Sequence, residues 1–243
     1  MKVLGFDTAT RATAVAVLDT ATGAVCEQRD DPPPGARPRH TTRLLPLVAQ
    51  VLADAGIDWS GLGLIAVGTG PGTFTGMRIG IASARALAGA RSLPLAGVST
   101  LQALAARAVE EAAGAAPLAV LDARRREVFA AGWDPDAAGR AGAPPLLAAR
   151  ALVPSALAEA LAQLPAGPAD RWLAVGDGAL AYRAELEAAG VRIAPEGSPV
   201  HRVSAGAICR LALGAPAGAA DSVLPDYLRE PDAAPVRGRE QVR

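Results

Sequence analysis

The sequence predicts an α/β protein made of two halves built on one plan. Three observations carry this. The order strand, strand, strand, helix, strand, helix, strand, helix reads twice along the chain. In each half an apolar first strand runs to an aspartate, Asp7 and then Asp122, and turns straight back. Amphipathic or Ala-rich helical stretches alternate with short apolar strands bounded by turn residues. At 243 residues the chain can bury a real core as one large or two small domains. The expected division is 1–100 for the first half and 101–228 for the second, whose helix over 203–214 packs back on the first half. A tail over 229–243 has too few apolar residues to fold alone.

In the first half, Val3 to Asp7, Thr13 to Leu18 and Ala24 to Arg29 read as a meander of strands. Residues 30–39 are Pro-rich and read as an extended surface loop. Leu44, Leu47, Val48, Val51 and Leu52 recur at helical spacing, with Thr41 or Thr42 as cap, Gly56 as stop and Pro46 in or near the first turn. Leu62 to Val67 is a buried strand, Leu93 to Val98 another, and Leu101 to Ala113 a helix.

Between those two strands lies the most distinctive stretch, Gly68 to Gly80, continued by an Ala-rich helix to about Ala90 and capped by Thr73 or Thr75. Its first look is that of a phosphate loop. No Lys follows as a P-loop needs, and Thr73 stands where a dinucleotide fingerprint starting at Gly68 wants its third Gly. Small residues instead recur every fourth position: Gly72, Gly76, Gly80, Ala84 and Ala88. Gly inside a helix costs about 1 kcal/mol relative to Ala, so close approach of another backbone is the expected return. The visitor is either a part of this chain or a partner helix; the partner helix is the preferred reading, with Phe74, Thr75, Met77 and Ile79 around the strip and Arg78 or Arg85 at its rim. Bulk at Gly76 or Gly80 would then block association.

In the second half, Leu118 to Asp122 and Glu127 to Trp133 flank a turn at Arg124-Arg125-Arg126. Residues 134–145 read as a long loop and Leu146 to Val153 as a strand. Ser155 caps a helix to Leu164; Trp172 to Val175 is a strand, Ala179 to Ala189 a helix, Val191 to Ala194 a strand, and Ser204 caps the last helix.

Composition excludes several classes. Twenty-four basic and twenty-four acidic residues cancel, so no global field draws the chain to nucleic acid or to an anionic membrane. No apolar run reaches the ~18 residues that span a bilayer, and nothing at the N-terminus resembles a secretory signal. A cytoplasmic protein is expected. Cys26 and Cys209 stand far apart and read as reduced core or near-core thiols, without metal-ligand spacing. His201 reads as a loop residue and His40 as a cap or surface residue.

The doubled element order resembles the actin-like, or ribonuclease H-like, fold of sugar kinases, Hsp70 and acetate kinase. That resemblance implies an ATP cleft between the halves, here at Asp7, Thr8, Asp122, Arg124, Gly176 and Gly178. The chemistry departs from it: Asp7-Thr8-Ala9-Thr10 lacks a Gly for backbone approach to phosphate, and arginines follow Asp122-Ala123. The expectation is a vestigial cleft, with no cofactor and no metal.

Leu4-Gly5-Phe6-Asp7-Thr8-Ala9-Thr10, Arg39-His40-Thr41-Thr42-Arg43-Leu44-Leu45-Pro46, the stretch Gly70 to Gly80, Gly97-Val98-Ser99-Thr100-Leu101, Asp122-Ala123-Arg124 with Glu127-Val128-Phe129, and Pro225-Asp226-Tyr227-Leu228-Arg229 together resemble the bacterial TsaB family, also called YeaZ. The resemblance runs nearly end to end. It implies a non-catalytic partner of TsaD, joined by the ATPase TsaE, in making threonylcarbamoyladenosine beside the anticodon of tRNAs that read codons starting with A. In that family the helices after His40 and after the glycine stretch pack on the equivalent helices of TsaD, or on a second copy of the same chain. His40, Arg43, Leu44 and Leu47 join the interface residues on that ground, and tRNA is met indirectly through the complex. Phe129 stands where the family often has Tyr.

Three other readings compete with this one. An ATP-dependent phosphotransferase needs nucleotide and metal near Asp7 and Asp122. A metallopeptidase needs a ligand pair, but His40 is matched four residues on by Leu44. Direct tRNA contact through Arg124, Arg125 and Arg126, with Arg37, Arg39 and Arg43, competes with a plain solvated turn.

Overall fold

The computed structural model describes residues 1–33, 35–164 and 171–229. Its first sheet has six strands, β1 (Lys2–Asp7), β2 (Thr13–Asp19), β3 (Val25–Asp30), β4 (Leu62–Gly70), β5 (Leu95–Ser99) and β11 (Ala217–Gly218), in the order β11-β5-β4-β1-β2-β3. The second has five, β6 (Ala116–Arg124), β7 (Glu127–Gly132), β8 (Leu147–Leu152), β9 (Trp172–Val175) and β10 (Arg192–Ile193), in the order β10-β9-β6-β7-β8. In each, the first strand pairs antiparallel with the second and parallel with the fourth. One plan therefore occurs twice, and the fold is actin-like.

Helices and sheets alternate in five layers. α1 (His40–Asp54) and α2 (Phe74–Arg91) cover the outer face of the first sheet through Leu4, Phe6, Val15, Ile65, Leu44, Val48, Ile81 and Ala84. The other face of β1 and β2, with Val3, Ala14, Ala16 and Leu18, meets α3 (Thr100–Ala112), α8 (Ala205–Ala212) and the inner face of the second sheet in one shared core. Outside the second sheet, α5 (Pro154–Ala162), α6 (Asp177–Ala181) and α7 (Arg183–Ala188) close a third core around Trp172. Because β1 is covered on both sides, Val3, Leu4 and Phe6 are all fully buried.

The last helix packs on the first half by a device the residues make plain. Gly5 leaves room for Cys209, whose thiol lies against the carbonyls of Val3 and Ala16 and is pushed up to about 12 by burial. The Glu27 carboxylate, from β3, accepts from the Ser204 hydroxyl at 2.6 Å and from Ala205 N and Gly206 N at 3.1 Å. A first-half side chain thus caps a second-half helix.

Several elements differ from expectation. α1 starts at His40 with no side-chain cap, so Pro46 sits inside the helix, on its exposed side. α5 begins at Pro154, so Ser155 lies within the first turn instead of capping it. The single helix expected over 179–189 is broken at Tyr182 into α6 and α7. The loop over 134–145 contains a short α4 (Pro135–Ala138), capped by Asp134 with Pro135 at its first position. β11, two residues long, adds an edge strand to the first sheet. Residues 230–243 of the expected tail lie outside the described residues, but Arg229 is held, donating to Glu127 at 3.0 Å.

Candidate functional site

Thr73 caps α2, its hydroxyl accepting from Gly76 N at 3.3 Å, and the helix comes to rest on the turn after β1. Thr73 N donates to the Ala9 carbonyl at 2.7 Å, and the Thr8 hydroxyl donates to the Gly76 carbonyl at 2.7 Å. A Cβ at Gly72 would overlap the Ala9 carbonyl, one at Gly76 the Thr8 carbonyl, and one at Gly80 the Thr8 hydroxyl. Ala84 and Ala88 continue the strip into the core. The close approach that the glycines permit is therefore made to this chain itself, at the turn that follows its first strand. Met77, Leu44, Leu47 and His40 are buried with them.

What faces outward is the other side of the helix pair. Phe74, Thr75, Arg78, Ala82 and Ala86 are exposed on α2, with Ile79 half-buried. On α1 the exposed side chains are Thr41, Thr42, Leu45, Pro46, Ala49, Gln50, Ala53 and Asp54, with Arg43 half-buried. Leu45 is 54% exposed. Along Thr41–Ala53 and Phe74–Ala86 the only fully exposed charge is Arg78. Leu45, Ala49, Ala82 and Ala86 were not singled out from sequence. A four-residue period marks two opposite helix faces equally well, and here the glycines took the inner one.

The chain's last described segment crosses this face at one end. Arg85 donates to the Val223 carbonyl, Val223 enters the core under α2, and Asp226 N donates to the Thr69 carbonyl at 2.8 Å. Tyr227 stacks on Phe74 at 5.4 Å between ring centroids, and Arg78 lies 4.9 Å over the Phe74 ring. With Leu224, 68% exposed, these rings extend the apolar surface beyond α2.

The cleft residues sort differently. Asp7 is buried; its carboxylate accepts from the Thr100 hydroxyl at 2.7 Å and from Ala9 N at 2.9 Å, and it packs on Gly68. Burial raises its pKa. Thr100 also accepts from Gly70 N, so Asp7 ties β1, β4 and α3 together. Thr8 is used under α2. Gly176, at φ 112°, and Gly178 let α6 pack on the backbone of β6, and Asp177 accepts from Asp122 N at 3.0 Å. Arg124 pairs with Asp122 at 3.0 Å.

A cavity of about 440 Å³ does lie between the halves, but Thr10, Arg11, Arg29, Asp31, Asp177 and Arg202 line it. Of the residues expected there, none of the six is on its wall. Arg29 and Arg202 both turn to Asp31.

Both histidines are buried, His40 against the expectation of a cap or surface residue. His201 lies between Gly176 and the carbonyls of Ala194 and Pro195, and His40 lies 2.9 Å from the Thr13 hydroxyl, with burial lowering its pKa. Among the described residues, no three His, Cys, Asp or Glu are grouped to hold a metal ion.

At the tip of the β6–β7 hairpin Arg124, Arg125 and Arg126 have φ of 65°, 55° and 64°. Arg125 and Arg126 form a two-residue turn of the kind that wants Asn-Gly. Each non-glycine residue held there costs roughly 1 kcal/mol.

Comparison with known proteins places this geometry. Residues 32–140, which contain both α1 and α2, match the family model "TsaD: tRNA N6-adenosine threonylcarbamoyltransferase". A solved Pseudomonas aeruginosa protein, titled as having similarity to peptidase YeaZ, is 30% identical over 94% of this chain and 99% of its own, with a TM-score of 0.72. The chain belongs to the TsaB/YeaZ family. A second structure, YeaZ from Pseudomonas aeruginosa, has 29% identity and a TM-score of 0.73 over 93% of this chain and 99% of that one. By sequence, the Escherichia coli "tRNA threonylcarbamoyladenosine biosynthesis protein TsaB" is 37% identical over 57% of this chain, and the Haemophilus influenzae one 34% over 53%. The chain spans 58% and 52% of the lengths of those two curated relatives. No described helix is long and apolar enough to cross a membrane.

Proposed function

We propose that this chain serves tRNA threonylcarbamoyladenosine biosynthesis as a non-catalytic subunit that binds TsaD, with TsaE joining the pair, through the outer face of α1 and α2. One observation carries the reading: along Thr41–Ala53 of α1 and Phe74–Ala86 of α2, an exposed surface of Leu45, Pro46, Ala49, Thr75, Ala82 and Ala86 holds one fully exposed charge, Arg78, while Asp54 and Arg91 stand exposed at the helices' C-terminal ends. A solvated helix face carries more charge than that, and depletion of charge marks the centre of an interface. The curated names of the relatives supply the pathway. The TsaD model matches the segment holding α1 and α2, so TsaD has a related helix pair to offer. Two such pairs pack as a four-helix layer in which small residues allow close contact. The same face suits a second copy of this chain when TsaD is absent. The assembly works in the cytoplasm, where tRNA is modified, and this chain brings no cofactor of its own.

The test follows from which side of α2 is free. Ala82→Trp and Leu45→Glu leave the core untouched and are expected to abolish co-purification with TsaD and to abolish tRNA modification that depends on this chain. A folded variant that still binds TsaD with unchanged affinity would sink the proposal. The phosphotransferase reading fares worse because Asp7 spends its carboxylate on Thr100 and Ala9. Isothermal titration of the isolated chain with ATP and magnesium discriminates: heat of binding at the inter-half cleft would revive it.

A further inference from the structure

We propose that the β6–β7 turn, Arg124-Arg125-Arg126, is an RNA phosphate contact, through which this chain itself touches the tRNA of the assembly. The inference rests on the pathway reading above and adds a ligand that the helix face does not take. All three side chains are exposed, and all three backbones are left-handed. Asn or Gly would hold this turn without strain, so arginine is kept there for its side chain.

Arg124 turns to Asp122 two residues away while remaining 59% exposed, a pair of small energetic value. Beside the turn lies a cavity of about 490 Å³ lined by Arg125, Arg126, Val153, Pro154, Ser155, Tyr182 and one acid, Glu185. It offers guanidinium forks, a hydroxyl and an aromatic ring, which match a phosphate, a ribose and a base.

Placement supports the same ligand. The segment that crosses α2 continues to this turn: Asp226 N bonds Thr69, Tyr227 stacks on Phe74, and Arg229 donates to the Ala123 carbonyl at 3.2 Å and to Glu127 at 3.0 Å. The turn therefore sits near the end of the proposed partner face, where a substrate held by the complex can reach both. Because the chain's net charge is zero, the attraction is local. A local cluster adds phosphate contacts without drawing the free chain to every polyanion.

The experiment uses the full chain in complex with TsaD and TsaE, and an unmodified transcript of a tRNA reading codons that begin with A. The triple variant Arg124→Asn, Arg125→Asn, Arg126→Gly suits the turn, so its unfolding midpoint is expected at or above that of the wild type. Its complex is expected to bind the tRNA roughly tenfold more weakly, with the slope of log K against log salt reduced by about 2. A control neutralising Arg150 and Arg192, exposed elsewhere, is expected to change neither. Unaltered affinity and slope in the triple variant would overturn the proposal, as would an equal loss in the control. Failure of the folded triple variant to join TsaD would make the turn a protein contact instead, and likewise overturn it. If the wild-type chain does not bind TsaD, the pathway reading fails first. The same titration on the chain alone then decides the arginines.

Discussion

At the residue scale, glycine and aspartate carry the local logic. Gly76→Val drives a side chain into the Thr8 carbonyl, a backbone atom that cannot turn away. The expected cost is about 3 kcal/mol, the upper end of ordinary overpacking, seen as a lower urea midpoint of the isolated chain. Normal stability with lost TsaD binding would instead return the strip to the partner. Asp7 gives a pH prediction. Burial raises its folded pKa above that of an ordinary aspartate, so the folded state holds the proton more tightly than the unfolded one. Stability from this group is greatest below the unfolded pKa and declines as pH rises through the folded value. Asp7→Asn lacks that decline while keeping the bond from Ala9 N. Its urea midpoint relative to wild type is therefore expected to rise with pH above about 4 and then level off; parallel curves would contradict the buried-carboxyl account.

At the scale of elements, caps and faces were unequally legible. Ser204 before α8 was readable, and Thr73 before α2 was one of two candidates with Thr75, because a hydroxyl three residues ahead of a free N–H is a local relation. Ser155 was misplaced because Pro154 fits the first helical position and starts the helix one residue earlier. Glu27 could not be read as the cap of α8, since its partners lie far along the chain and only the stacking of layers joins them. Glu27→Ala is expected to cost about 2 kcal/mol, combining a lost cap with charge-assisted bonds. Hydrogen exchange should show the added opening concentrated in the first turn of α8. Uniform loss of protection across both sheets would argue against so local a role.

For the whole molecule, the two halves are tied by exchanged parts: α8 lies on the first sheet, Asp7 bonds the start of α3, and the segment over 219–229 runs from the edge of the first sheet to the second-half hairpin. Ending the chain after Gly218 removes Val223 from the core under α2 and Tyr227 from Phe74. A thermal midpoint several degrees lower is expected, since burying a Val side chain contributes about 2 kcal/mol. Differential scanning of the full and shortened chains measures it, and an unchanged midpoint would deny the segment a structural role.

The doubled plan, the order of the main strands and helices and the family were legible in the residues alone, because each rests on periodicity or on short motifs that a linear text preserves. Which side of α2 meets the chain itself was set by packing. The small-residue period defines a line along the helix, and the sheet beneath chooses how that line is turned. The same holds for both buried histidines and for the cleft, whose wall residues come from segments that only folding brings together.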